Sequence, residues 1–148
     1  MEVLKRENSQ RVADFMIGAG QKVNVSPTKI SAEDAQLRVR LLLEEVFELA
    51  DASGVVIYKN GSSVEFDHLD FSGGLEEHQD LIEIADALTD IQYVNEGAAL
   101  TWGIPLQKCF DLVADNNELK LKNGTINEFG KLVKPKDHPK VDLSFIAE

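Results

Sequence analysis

Leu41-Leu42-Leu43-Glu44-Glu45-Val46-Phe47-Glu48-Leu49-Ala50 sets three acidic side chains into an otherwise apolar run. Wound as a helix at about 100° per residue, Leu42, Leu43, Val46, Phe47, Leu49 and Ala50 cover one broad side. Glu44, Glu45 and Glu48 share an arc of roughly 100°. Leu37 and Leu41 project into the same arc, so the helix is apolar nearly all round, the mark of a buried helix. Carboxylates on such a helix need protons, cationic partners or metal ions. A second run, Leu81-Ile82-Glu83-Ile84-Ala85-Asp86-Ala87-Leu88-Thr89-Asp90-Ile91, repeats the pattern. Spacings of three and four place Glu83, Asp86 and Asp90 within about 60° of one another. Val94 and Gly97 continue their face, while Thr89, Gln92 and Glu96 take the side expected to meet water. Two inward acidic rows on two helices suit hard divalent cations held by oxygen, most simply Mg²⁺.

Working outward, Ser31 caps the first acidic helix, with Asp34 three residues on, and the helix is expected over 32–52, stopped by Gly54. Upstream, Asn8 or Ser9 caps a shorter helix that Gly18 and Gly20 end. Downstream the period changes. Val55, Ile57, Val64 and Phe66 alternate around Asn60-Gly61, which predicts a short β-hairpin, followed by a loop over 67–74. The second acidic helix is expected from about Leu75 to Leu100. Pro105 then suits the first turn of a fourth helix reaching about Leu121. Asn123-Gly124 turns the chain into a tail, 122–148, that reads as loop or a second small hairpin. The expected fold class is all-α: one domain over 1–148, a four-helix core with a small β-hairpin and loop inserted at 55–74.

The chain has 148 residues, enough for one domain that buries about 70% of its unfolded surface. Fifteen basic against 26 acidic residues give a net charge of −11, which argues against a nucleic-acid or membrane-surface binder. An anionic substrate is compatible with that charge where metal ions invert the local field. Cys109 is the only cysteine, so no intramolecular disulfide forms, and a reducing cytoplasm is the expected location. Met1 to Asp14 is charged and has no apolar signal core. No apolar run approaches the roughly 20 residues of a membrane span. The histidines stand outside the carboxylate pattern and read as surface or loop residues. No Glu-x-x-His pair supports a di-iron bundle, and no P-loop, GxSxG, HExxH or EF-hand spacing occurs.

Glu44-Glu45-x-x-Glu48 alone is more often the pattern of a solvated face than of a site. Paired with Glu83-x-x-Asp86 on a second apolar helix, it resembles the all-α nucleoside triphosphate pyrophosphohydrolases. That group takes in MazG-like enzymes, dimeric dUTPases and the phosphoribosyl-ATP pyrophosphohydrolases. Further segments are similar to the phosphoribosyl-ATP-pyrophosphohydrolase-like branch. They are Asp14-Phe15, Gly20-Gln21-x-Val23, Pro27-Thr28, Leu37-Arg38-x-Arg40-Leu41, the run from Ile84 to Ile91, and Gly103-Ile104-Pro105-Leu106. Asn117-x-x-Lys120 and Gly130-Lys131-x-x-Lys134-Pro135 resemble its nucleotide-contacting tail. The resemblance spans about residues 8–136. It departs at 55–74, which looks like extra material, and at Asp115-Asn116, where the family pattern is more basic or hydroxylic.

The resemblance implies cleavage of a nucleoside triphosphate between its α and β phosphates, giving a monophosphate and pyrophosphate, in the service of nucleotide-pool sanitation. It implies Glu44, Glu45, Glu48, Glu83 and Asp86 as ligands of Mg²⁺ or Mn²⁺, with Glu45 as the general base. Asn117, Lys120, Lys131 and Lys134 are the implied substrate contacts, although these lysines alone read as solubilising charge. Asp90, Arg38 and Arg40 are candidates for supporting positions, Asp90 equally a further ligand. Gln21 and Trp102 are candidates for base contact, and Cys109 reads as packing. A homodimer with its site near the subunit contact is implied, with no nucleic acid polymer or membrane as partner. Two alternatives stand beside this reading: phosphoribosyl-ATP as substrate in histidine biosynthesis, and a catalytically silent nucleotide- or metal-binding module.

Overall fold

Ser31 begins the first acidic helix as the sequence requires: its Oγ accepts the amide N–H of Asp34 at 3.1 Å. In the computed structural model, which describes residues 7–61 and 68–148, four helices follow one another. They are α1 (Asn8–Gly18), α2 (Ala32–Ala52), α3 (Leu81–Trp102) and α4 (Leu106–Asn123). Strands β1 (Val55–Lys59) and β2 (Leu69–Gly73) pair antiparallel between α2 and α3, and two-residue strands β3 (Thr125–Ile126) and β4 (Leu132–Val133) pair after α4. The chain is therefore all-helical in its core with small hairpins, as expected. None of the described helices is long and apolar enough to cross a membrane.

Three pairings fix α2 against α3. A Cβ on Gly97 would lie 3.3 Å from Arg38 Nη1, Glu45 groups with Asp90, and the Asp80 amide donates to Ala52 O at 2.8 Å. Residue numbers rise on one helix as they fall on the other, so the two run antiparallel. Small residues make the close approach possible: Ala50 on α2 and Ala87, Gly97, Ala98 and Ala99 on α3 are all buried. Helix α1 packs on α3 through Val12 and Met16, the latter 2% exposed, and Gly97 lies against both. Helix α4 has β4 as its main partner and lies apart from this seam.

The ends of the helices explain the loops. Gly20, at φ 74, closes α1 in the left-handed conformation, with Gly20 N–H donating to Ile17 O and Gln21 N–H to Met16 O. The chain then runs back over the end of α3. Asn24 N–H donates to Leu100 O, Asn24 Nδ2 to Thr101 O and Thr28 N–H to Trp102 O, satisfying carbonyls that the helix leaves open. At the other end Asp80 caps α3, accepting from Ile82 and Glu83 N–H at 3.0 and 3.2 Å. Asn116 straps the tail to α4: its Nδ2 donates to Pro139 O and its Oδ1 accepts from His138 Nε2.

Several local expectations change. Glu7, not Asn8 or Ser9, occupies the cap position of α1, and no side-chain cap forms there. Helix α3 begins at Leu81 rather than near Leu75, because Asp80 offers the capping oxygen and Glu76–His78 forms a 3-10 turn first. The hairpin is longer than Asn60-Gly61 implied. Lys59 pairs with Leu69 and Asn60 N–H donates to His68 O, so the second strand falls in the segment read as loop. Val64 and Phe66 lie outside the described residues. His138 lies in a loop of the tail, as expected, and is half-buried against Asn116. Finally, α2 is not buried all round: Val39, Leu43 and Phe47 are 61%, 53% and 49% exposed, since α3 covers only one side.

Candidate metal centre and active site

Glu45 and Glu48 stand one turn apart on α2, and Asp90 faces them from α3. Each offers an oxygen, and all three oxygens lie within 4.8 Å of one another. Helix geometry places the first two on one side of α2, and the antiparallel seam brings Asp90 to their level. Glu45 and Asp90 are half-buried and Glu48 is exposed, so the group sits at the rim of the seam with one open side. Glu45 Oε2 is itself buried and has no hydrogen-bond partner among the described residues. Burial pushes the Glu45 carboxyl above its ordinary range, and the charges of Glu48, Asp90 and Glu44 push the same way. Three carboxylates crowded into this space favour a compensating cation.

The donors fit a hard divalent ion. All are carboxylate oxygens, the buried one lacks a partner, and one side is open to an anionic substrate. Thiol and imidazole, the donors that would favour softer metals, are absent from the group.

The other expected ligands are placed differently. Glu44 is exposed and pairs with Arg40 at 3.6 Å, a contact that solvent screens. Glu44 and Glu48 share a shallow groove of about 370 Å³ with Arg40, Leu43 and Phe47, built entirely on the outer side of α2. Glu83 and Asp86 lie on α3 toward Asp80 and are exposed, so the inward row expected on α3 narrows to Asp90. The structure thus brings together Glu45, Glu48 and Asp90, and leaves Glu44, Glu83 and Asp86 outside the compact group. Asp90 was legible as a ligand only from its sharing a face with Glu83 and Asp86.

On α4, Lys120 Nζ donates to Asn117 Oδ1 at 2.8 Å. Lys131 and Lys134 flank β4 and are exposed. Among the described residues, none of these four side chains meets a carboxylate of the group. The tail engages the Asn116 amide at both ends, through one N–H of Nδ2 and through Oδ1, which holds the side chain toward Pro139 and His138. Among the described residues, Arg38 forms no ion pair with Glu45, Glu48 or Asp90. It is 7% exposed, donates through Nη2 to Gln21 Oε1 at 3.1 Å, and keeps a buried Nε without a partner among the described residues. Burial lowers its pKa, and Asp34 offsets part of that. The Gln21–Arg38 bond is invisible in the sequence, because it joins a loop to a helix through side-chain reach alone. Trp102 is half-buried at the end of α3, and Cys109 is buried, as its packing reading required.

Comparison with curated proteins finds no match. The family model described as phosphoribosyl-ATP pyrophosphohydrolase matches residues 12–117, a span that contains most of α1, all of α2, the inserted hairpin and α3, and most of α4. That span includes every candidate ligand carboxylate and stops before the β3–β4 hairpin and the Lys131 and Lys134 that flank β4. Matched over most of its length, this chain belongs to the phosphoribosyl-ATP pyrophosphohydrolase family and is a pyrophosphohydrolase of the MazG-like superfamily.

Proposed function

We propose that the protein is a Mg²⁺-dependent nucleoside triphosphate pyrophosphohydrolase that cleaves the α–β phosphoanhydride and clears unwanted nucleotides. The observation that carries this reading is the buried, partnerless Glu45 Oε2 inside the Glu45–Glu48–Asp90 group. Glu45, Glu48 and Asp90 hold the cation, with Glu44, Glu83 and Asp86 available from the same two helices once substrate and metal are bound. Mg²⁺ or Mn²⁺ bound there would neutralise phosphate charge and make water a stronger nucleophile. Glu45 is the base. Its carboxyl already binds a proton more tightly than a solvated one, and its position at the rim lets it take the proton from an attacking water. The water oxygen bonds the α phosphorus as the bridging Pα–O bond breaks; the monophosphate forms and pyrophosphate leaves with the electron pair.

Asn117, Lys120, Lys131 and Lys134 supply phosphate contacts in this reading. They reach the site from a second copy of the chain, docked on the exposed Val39, Leu43 and Phe47 of α2. The groove beside Glu48 has walls from α2 alone, which supports a site completed by a partner. A second reading takes phosphoribosyl-ATP as substrate, and the family match favours including it; the hairpin between α2 and α3 makes the chain less like a compact biosynthetic enzyme.

Pyrophosphate release from canonical and modified nucleoside triphosphates and from phosphoribosyl-ATP, with and without Mg²⁺, tests the proposal. Metal-dependent release from triphosphates that falls about 10²-fold or more in Glu48→Ala is expected. Release from phosphoribosyl-ATP alone would transfer the assignment to the second reading. Nucleotide binding without turnover in saturating Mg²⁺ would make the protein a binding module.

A further inference from the structure

Arg38 and Gln21 form a polar pair that the carboxylate chemistry does not use. The guanidinium is buried where α1, α2 and α3 meet, against Gly97, whose missing side chain leaves it room. Gln21 is exposed at the surface above it. Its backbone is pinned, because its N–H closes the end of α1 on Met16 O at 2.8 Å. Arg38 Nη2 then donates to Oε1 at 3.1 Å.

This bond fixes the direction of the amide. A guanidinium only donates, so the Gln21 atom facing it must be oxygen, and the NH₂ end must face away. Gln21 therefore offers the outside two donors in a set orientation. Its level on the seam is also set. Arg38 and Gly97 face each other seven residues from Glu45 and Asp90 respectively, about 10 Å along the helices. The phosphates of a nucleotide held at the carboxylates leave the base to reach along the seam to this level.

We infer that Gln21 is a specificity residue that reads the base, its fixed amide donors selecting nucleotides whose base presents a carbonyl over those presenting an amine at the same edge. The inference rests on the nucleoside triphosphate reading above and names a substrate class for that site. Inosine and uridine triphosphates are favoured over adenosine and cytidine triphosphates. In each pair, one exocyclic oxygen replaces one exocyclic amine.

The test is kcat/KM for pyrophosphate release from ITP, ATP, UTP and CTP in Mg²⁺, for the native protein, Gln21→Ala and Gln21→Glu. One matched hydrogen bond gives ITP/ATP and UTP/CTP ratios of about tenfold in the native protein. Gln21→Ala brings both ratios toward one. In Gln21→Glu one oxygen pairs with Arg38 and the other faces outward as an acceptor, so both ratios invert. A purely structural role for Gln21 would move all four substrates together. Because Gln21 is exposed, both variants should fold, and a thermal melt checks this. Native ratios near one, or ratios unchanged in an active Gln21→Glu, overturn the inference while leaving the hydrolase reading intact. No release from any of the four by the native protein removes the reading itself, and the inference with it.

Discussion

Glu45 carries two features that a solvated helix glutamate lacks: a buried oxygen without a partner and a carboxyl held above its ordinary range by burial and by Glu48 and Asp90. Charge deletion there should separate function from stability. Glu45→Gln is expected to lower metal-dependent turnover by about 10²–10⁴-fold, the usual worth of a general base. The same change should raise the melting temperature of the metal-free protein at neutral pH, since it removes one of three crowded charges. A loss of both activity and stability would instead mark Glu45 as a packing residue.

Glu96 offers a pH test away from the carboxylate group. It is half-buried in a groove of about 610 Å³ between α1 and α3, which Arg11, Asp14, Phe15 and Tyr93 also line. Burial raises its pKa. A raised folded-state value stabilises the protein below the unfolded value, and the stabilisation is lost as pH rises through the folded value. Glu96→Gln should therefore melt higher than the native protein at pH 7. The difference should close below the ordinary carboxyl value of 4.5. A difference independent of pH would show that shape, not charge, is responsible.

At the scale of elements, legibility tracked how local the determinant was. Helix α2 was readable to both ends because Ser31 and Gly54 are contiguous signals, and the structure keeps them: Ser31 Oγ accepts from Asp34, and Gly54 takes φ 69. Ser31→Ala is expected to destabilise by about 1 kcal/mol, read as a drop of about 2–4 °C in a thermal melt; no change would mean that α2 is held by its seam alone. The start of α3 was misplaced because Glu76–His78 continues the helical pattern that Asp80 interrupts with its cap. The second strand was misplaced for a related reason. Leu69-Asp70-Phe71-Ser72 alternates as a strand should, but Gly73 and Gly74 give it the composition of a loop. Those glycines take φ 79 and 82, and a Cβ on Gly73 would strike Gly54 O. Of the site, the two helices and their shared faces were readable. The narrowing to Glu45, Glu48 and Asp90 was not, because it depends on how far α2 is slid along α3.

At the scale of the molecule, the expectation that α2 is enclosed fails within one chain for a geometric reason. Helix α3 covers one side, α1 packs on α3, and α4 lies with β4. Val39, Leu43 and Phe47 remain as a contiguous apolar strip beside Arg40 and Glu44. In the proposed function this strip is where a second copy docks. The native protein is then expected to elute as a dimer in light-scattering chromatography, and Leu43→Glu as a monomer with weakened turnover. A native monomer with full activity would contradict the two-copy site. Charge is unevenly shared in the same sense: α2 and α3 hold the carboxylate rows, while Lys120, Lys122, Lys131, Lys134, Lys136 and Lys140 all fall after residue 119.

The central claim is that Glu45, Glu48 and Asp90 form the core of a divalent cation site, and Mn²⁺ titration calorimetry of the native protein, Asp90→Asn and Glu83→Gln tests it most directly. The account predicts saturable binding by the native protein and weakening of about tenfold or more in Asp90→Asn, with a smaller effect in Glu83→Gln. Asp90→Asn binding Mn²⁺ as tightly as the native protein, or a native protein that binds none, would contradict it.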